Sequence, residues 1–231
     1  MKFERKHALA LFAVIYIAVL FAMYTVLFKL GPLKEELLRF DGDPMEHGYK
    51  IFFFAMSTFP VVYIAFLVTL LASIQYLRTK EMRFDSIASN SVKIGILFTS
   101  LLLVNGAIFS KVSWGAYWNW DPRQTTTLIL WFVLAGYLSL RSAIDNEETK
   151  ARLSAVIGIL GFAGVPLTHV SATIWLSNHP QLYQLQGKPP FSLDKLGGAM
   201  FGVMVFSLLA IYLYLLWAGM RIDEHEKSLS S

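Results

Sequence analysis

Residues 51–74 read IFFFAMSTFPVVYIAFLVTLLASI, a run of 24 positions without one charged side chain. A helix needs roughly 20 mainly apolar residues to cross the hydrocarbon of a bilayer. Within that layer every backbone polar group must bond internally, so an isolated run of this kind crosses as a helix. Outward from it, similar runs occupy 8–28, 92–109, 125–140, 153–170 and 196–220. The pattern predicts an all-α, polytopic integral membrane protein of six transmembrane helices, forming a single transmembrane domain over 1–231.

Composition agrees. Charged residues make up 16% of the chain, against about 25% in soluble proteins, and mean hydropathy is +0.52. A soluble domain does not account for these runs. Lys2, Arg5 and Lys6 precede the first one, as in a signal peptide, but the run is too long for an h-region and reads as a retained helix. Gly158, Gly161 and Gly164 in the fifth run would let neighbouring helices approach closely in lipid. Pro166 is expected to end or kink that helix, and 221–231 reads as a polar tail.

Several chemistries are excluded or disfavoured. With no cysteine there is no disulfide, thiolate metal site or cysteine nucleophile. No glycine-rich nucleotide loop with its lysine is present, so any ATP dependence must come from a partner. The formal charge of +4 is confined to short flanking segments, which gives no support to nucleic-acid binding. Ionisable residues are scarce inside the runs, and Asn105 is the most polar candidate of the third, which argues against ion coupling. With six alternating helices, the face holding both termini carries 12 of the 20 Lys and Arg residues. That bias places both termini in the cytoplasm, in a cell (inner) membrane.

The other face receives three segments, of which 114–123, WGAYWNWDPR, is the most unusual. Trp114, Trp118 and Trp120 fall within seven residues, beside Tyr117. Membrane anchoring needs only one or two aromatics per helix end, and has no use for Asp121 and Arg123 fixed around Pro122. A broad aromatic surface suits a large planar ligand such as a lipid, a quinone or a porphyrin. Arg123 could meet a ligand carboxylate, pair with Asp121, or cap the next helix. Gly115 suits a tight turn, and Thr125, Thr126 and Thr127 could satisfy free N–H groups at the helix start.

The segment 114–123 resembles the tryptophan-rich "WWD" signature of the heme-handling membrane proteins of cytochrome c maturation, and among them the heme exporter protein C (CcmC) family. The likeness extends to Tyr49–Phe53 and to Ser171–His179, including Trp175. It implies that the outer aromatic segment holds heme b as a transient ligand. It further implies two axial histidines and noncatalytic transfer to a membrane-anchored heme chaperone, with an ABC-type ATPase and a second membrane subunit as further partners. Trp114, Gly115, Tyr117, Trp118, Trp120, Asp121, Arg123, Trp175 and His179 are then the expected heme-binding residues.

Neutral imidazole is a usual iron ligand, so each of the five histidines bears on this reading. His7 and His225 lie near the termini. His179 occupies the place of the second family histidine and is the expected ligand. His169 is an alternative ligand or a partner for a propionate. The place of the first family histidine holds Ala55, with Met56 beside it, and alanine cannot ligate iron. His47 stands eight positions earlier, about 12 Å along a helix, and is a tentative substitute. Two other functions fit less of the sequence: a membrane enzyme or transporter taking a quinone or lipid, and a structural subunit of a membrane complex.

Overall fold

A computed structural model describes residues 5–29, 39–40, 43–44, 48–179 and 195–230. Helix α1 (Arg5–Tyr24) runs into a π-helical turn (Thr25–Lys29). It is followed by α2 (Gly48–Thr79), α3 (Met82–Trp114), α4 (Pro122–Ala143), α5 (Glu147–Phe162), α6 (Gly164–Ile174) and α7 (Lys195–Ser230). Among the described residues the only strand pairing is a two-residue antiparallel ladder, Arg39–Phe40 against Asp43–Pro44. Five stretches are long and apolar enough to cross a membrane: Phe53–Thr79, Met82–Trp114, Pro122–Ala143, Glu147–Ile174 and Gly197–Glu226. Ala13–Tyr24 forms a shorter apolar helix. The chain is an all-α, multi-pass membrane protein.

The helices outrun the apolar segments because polar residues inside them find partners. α2 and α3 meet in a two-residue turn, Lys80-Glu81, in which Lys80 adopts φ 61° and its N–H donates to Tyr76 O at 2.8 Å. α3 then begins with a polar stretch in which Asp85, Ser89, Asn90 and Ser91 are buried. Arg141 of α4 grips Asp85 with both terminal nitrogens, at 2.6 and 2.8 Å. Ser91 Oγ meets Tyr212 Oη of α7 at 2.7 Å and donates to Ala65 O of α2 at 2.8 Å.

Residues 221–230 continue α7 and are not a loose polar tail. Asp223 accepts from Asn90 Nδ2 at 2.7 Å and from Ser86 Oγ, both on α3, so the tail is tied down by a carboxylate that hydropathy counts only as polar.

The fifth apolar run breaks at Ala163, between α5 and α6. Pro166 has no N–H, and its ring presses on the carbonyl four residues back. That carbonyl belongs to Phe162, the last residue of α5. The helical hydrogen bonding is thus interrupted ahead of the proline, while Ala163 keeps right-handed helical dihedrals, φ -60° and ψ -26°. The glycines of this run mark close approaches: an added Cβ would stand 2.6 Å from Ser73 Oγ at Gly158, 2.8 Å from Val133 Cγ1 at Gly161 and 2.6 Å from Leu130 Cδ2 at Gly164. α5 and α6 are thus pressed onto α2 and α4. The main core joins Val62 and Phe66 of α2, Phe98 of α3, Leu130 and Leu134 of α4, Val165 of α6 and Tyr212 of α7. A second cluster sets Ala22 and Val26 against Phe53, Met200 and Met204.

This packing brings the α3–α4 link and the residues after α6 to one end of the bundle, here the tryptophan end. The α2–α3 turn, the α4–α5 link and Asp223 lie at the opposite end.

Candidate functional site

α3 ends at Trp114 because Gly115 turns left-handed, at φ 81°, and returns its N–H to Lys111 O. Ser110 Oγ and Lys111 Nζ then hold the carbonyls of Ala116 and Gly115, at 2.7 and 2.8 Å. The link reverses again at Trp120, whose φ of 58° costs a non-glycine residue roughly 1–2 kcal/mol. Asp121 caps α4, taking the N–H of Arg123 at 2.9 Å, and Pro122 supplies the first helical residue. Asp121 takes the capping role expected of the threonines. Thr126 and Thr127 instead donate to the carbonyls of Pro122 and Arg123, at 2.8 and 2.7 Å, because their hydroxyls lie one turn past the free N–H groups.

Asp121 also joins the two loops. Its Oδ2 accepts from Ser177 Oγ at 2.6 Å and from Asn178 N at 2.8 Å. Its Oδ1 lies 2.7 Å from His179 Nδ1, and the side chain is 1% exposed. Burial opposes its charge, but hydrogen bonds from His179 and Ser177, the adjacent imidazole and the Arg123 N–H together hold the carboxyl well below the usual carboxylate range. An ionised carboxylate can only accept. An N–H at Nδ1 of His179 is the donor that would satisfy this oxygen. Trp114 packs edge-to-face on this imidazole, with centroids 4.7 Å apart, and Phe109 meets Trp114 in the same manner at 5.6 Å.

The remaining aromatics do not form one flat plate. Trp118 and Trp120 stand at 88° to each other, 5.8 Å between centroids. Tyr117 and Trp120 are 61% and 71% exposed, and Trp175 is exposed as well. Tyr117, Trp120 and Trp175 thus present accessible ring surface, while Trp114 and Trp118 are half-buried.

Arg123 does not pair its side chain with Asp121. Its Nη2 donates to the carbonyl of His169 on α6 at 3.3 Å. Among the described residues its buried Nε meets no acceptor. His169 Nδ1 lies 3.5 Å from Tyr63 Oη, so Arg123 and His169 form a second polar group beneath the loops. Ala55 is half-buried on α2, eight residues, about 12 Å by helical rise, toward the tryptophan end from Tyr63. His47 lies outside the described residues.

The roles of Ser177 and Tyr63 are not legible in the sequence. Ser177 had a weak signal, since Ser and Asn a few residues before a proline favour turns that aim side chains at nearby backbone. Tyr63, inside an apolar run, had none.

Over residues 6–230 the chain matches the family model described as "Heme exporter protein C". It is 31% identical over 129 residues to heme exporter protein C of Bradyrhizobium diazoefficiens, covering 56% of this chain and 46% of that protein. Identity to the Haemophilus influenzae protein of the same name is 33% over 132 residues, covering 56% and 52%. With that of Rhodobacter capsulatus it is 34% over 106 residues, covering 46% and 44%. The chain spans about half the length of these curated relatives.

Proposed function

The chain belongs to the heme exporter protein C family, and from that premise we propose that it binds heme at the tryptophan end and assists heme delivery to a membrane-anchored heme chaperone during cytochrome c maturation. Heme, as heme b, is cargo in this reading, not a resident cofactor. The observation that carries it is the His179 ring, engaged at Nδ1 by Asp121 at 2.7 Å, which leaves Nε2 for a metal.

The donor set fits a porphyrin better than a bare ion. A bare-ion site needs three or four protein ligands, and among the described residues no group of three His, Asp or Glu side chains gathers to provide them. One imidazole suffices where a macrocycle supplies the remaining nitrogens. The exposed faces of Tyr117, Trp120 and Trp175 offer apolar surface to such a ring, with Gly115, Trp114 and Trp118 shaping the loop behind them. Arg123, with its unmet buried Nε, suits a propionate, and His169 beside it is an electrostatic partner. His47 remains a tentative second ligand.

When bound, the iron supplies a coordination position, and the chain's own part is to hold and release it. The protein makes or breaks no bond of the porphyrin, so it is noncatalytic. ATP hydrolysis belongs to an ABC-type ATPase acting with a second membrane subunit. The tryptophan end faces outward from the inner membrane, and both termini are cytoplasmic, following the Lys and Arg bias.

Absorption spectroscopy of the purified full chain with added hemin tests the assignment. Wild type is expected to give a stoichiometric heme spectrum with an imidazole ligand. His179→Ala is expected to lose that ligand signature and most of the heme. Retained heme with an unchanged spectrum would sink the ligand assignment.

A further inference from the structure

Every contact described for the Asp121 carboxylate is with a hydrogen-bond donor, and both oxygens are occupied: Oδ1 by Arg123 N and His179 Nδ1, Oδ2 by Ser177 Oγ and Asn178 N. Its backbone is equally constrained. Asp121 N donates to Asn119 Oδ1 at 3.2 Å, and the residue sits between left-handed Trp120 and the first residue of α4. The carboxylate cannot turn without releasing two loops and a helix cap. On the other side, His179 N donates to Ser177 Oγ at 3.0 Å, and Trp114 stands against the imidazole edge-to-face. The ring is held by its own backbone, by an aromatic neighbour and by one carboxylate oxygen.

We propose that Asp121 is a positioning residue that locks the His179 ring with its proton on Nδ1, so that Nε2 is the nitrogen offered to an iron centre. A carboxylate on the far nitrogen of a ligating imidazole sets tautomer and orientation and makes the ligand more basic. The spare group at the site is then chosen by the α4 cap: the aspartate that starts the helix also decides which histidine nitrogen can ligate. Seen this way, the Trp120-Asp121-Pro122 turn is a device for aiming His179. The iron clause of this proposal rests on the function proposed above; the tautomer clause does not.

Ring 15N chemical shifts of histidine-labelled full-length protein without heme, in mildly alkaline buffer, test the lock directly, with His179→Ala assigning the signal. Wild type is expected to show Nδ1–H with bare Nε2, and Asp121→Asn a mixture of tautomers. Ser110→Ala, which loosens the same link by freeing the Ala116 carbonyl without touching the carboxylate, is expected to keep the wild-type tautomer. An Nε2–H or doubly protonated ring in wild type overturns the proposal, and needs no variant to fold. So does an unchanged tautomer in Asp121→Asn. With hemin added, Asp121→Asn is expected to bind about 10–100-fold more weakly and to show a raised heme reduction potential, as the imidazole donates less charge. Unchanged affinity and potential overturn the iron clause. A locked tautomer in a wild-type protein that takes up no hemin supports the lock and overturns the heme reading instead.

Discussion

The carboxylate of Asp121 accepts from two loops at once, so its protonation releases both. Its folded value lies below the ordinary 3.8, which means the unfolded chain takes up the proton first as pH falls. The stability it contributes is therefore complete above the unfolded value and is lost as pH drops through the folded one. Thermal unfolding of wild type and Asp121→Asn should differ by a constant amount at neutral and weakly acid pH, and converge below 3.8. A gap that persists into strong acid would contradict this. At this scale the sequence marked Asp121 and His179 as unusual, because a charged residue among tryptophans and a histidine beside proline stand out. It did not pair them, since 58 residues of chain separate the two. Nor did it direct Arg123 to the His169 carbonyl, because a guanidinium's choice among acceptors depends on which backbone comes within reach. Ala55 was legible as a departure from the family pattern, and on α2 it is a half-buried methyl group.

Among the helices, α3 departs furthest from what hydropathy could supply. The apolar window begins at 92, yet the helix begins at Met82, ten residues earlier, because Asp85, Asn90 and Ser91 each meet a partner on another helix. The Asp85–Arg141 pair is bidentate and largely buried, with side-chain exposures of 7% and 17%. Removing one member of such a pair strands the other, typically at about 3–5 kcal/mol. Asp85→Asn is expected to lose that much stability in denaturant titrations in detergent, and a loss below 1 kcal/mol would show the pair to be solvated. α5 and α6 illustrate the opposite case. Pro166 and the glycines at 158, 161 and 164 announced both a break and a close approach, since each follows from backbone chemistry that a residue carries with it.

Two of the polar systems among the described residues lie at opposite ends of one helix, α4. Asp121 precedes α4 and Arg141 lies near its other end, about 30 Å away by helical rise, with an apolar core between them. Sites so far apart with no shared partner add their effects to within about 0.5 kcal/mol. The double variant Asp121→Asn/Asp85→Asn should be destabilised by the sum of the single losses, and Asp85→Asn alone should leave the heme spectrum unchanged. Strong non-additivity would reveal a coupling along α4. By itself the sequence determined that the chain is a multi-pass helical membrane protein, because apolar continuity is a property of neighbouring residues, and its tryptophan motif carried a resemblance to the heme exporter protein C family. The tertiary structure alone decided which polar residues are buried, where α3 begins, that α7 continues past 221, and that one carboxylate joins the tryptophan loop to His179. Those outcomes depend on partners distant in sequence, and a hydrogen bond exists only where folding has brought both its ends within 3 Å or so of each other.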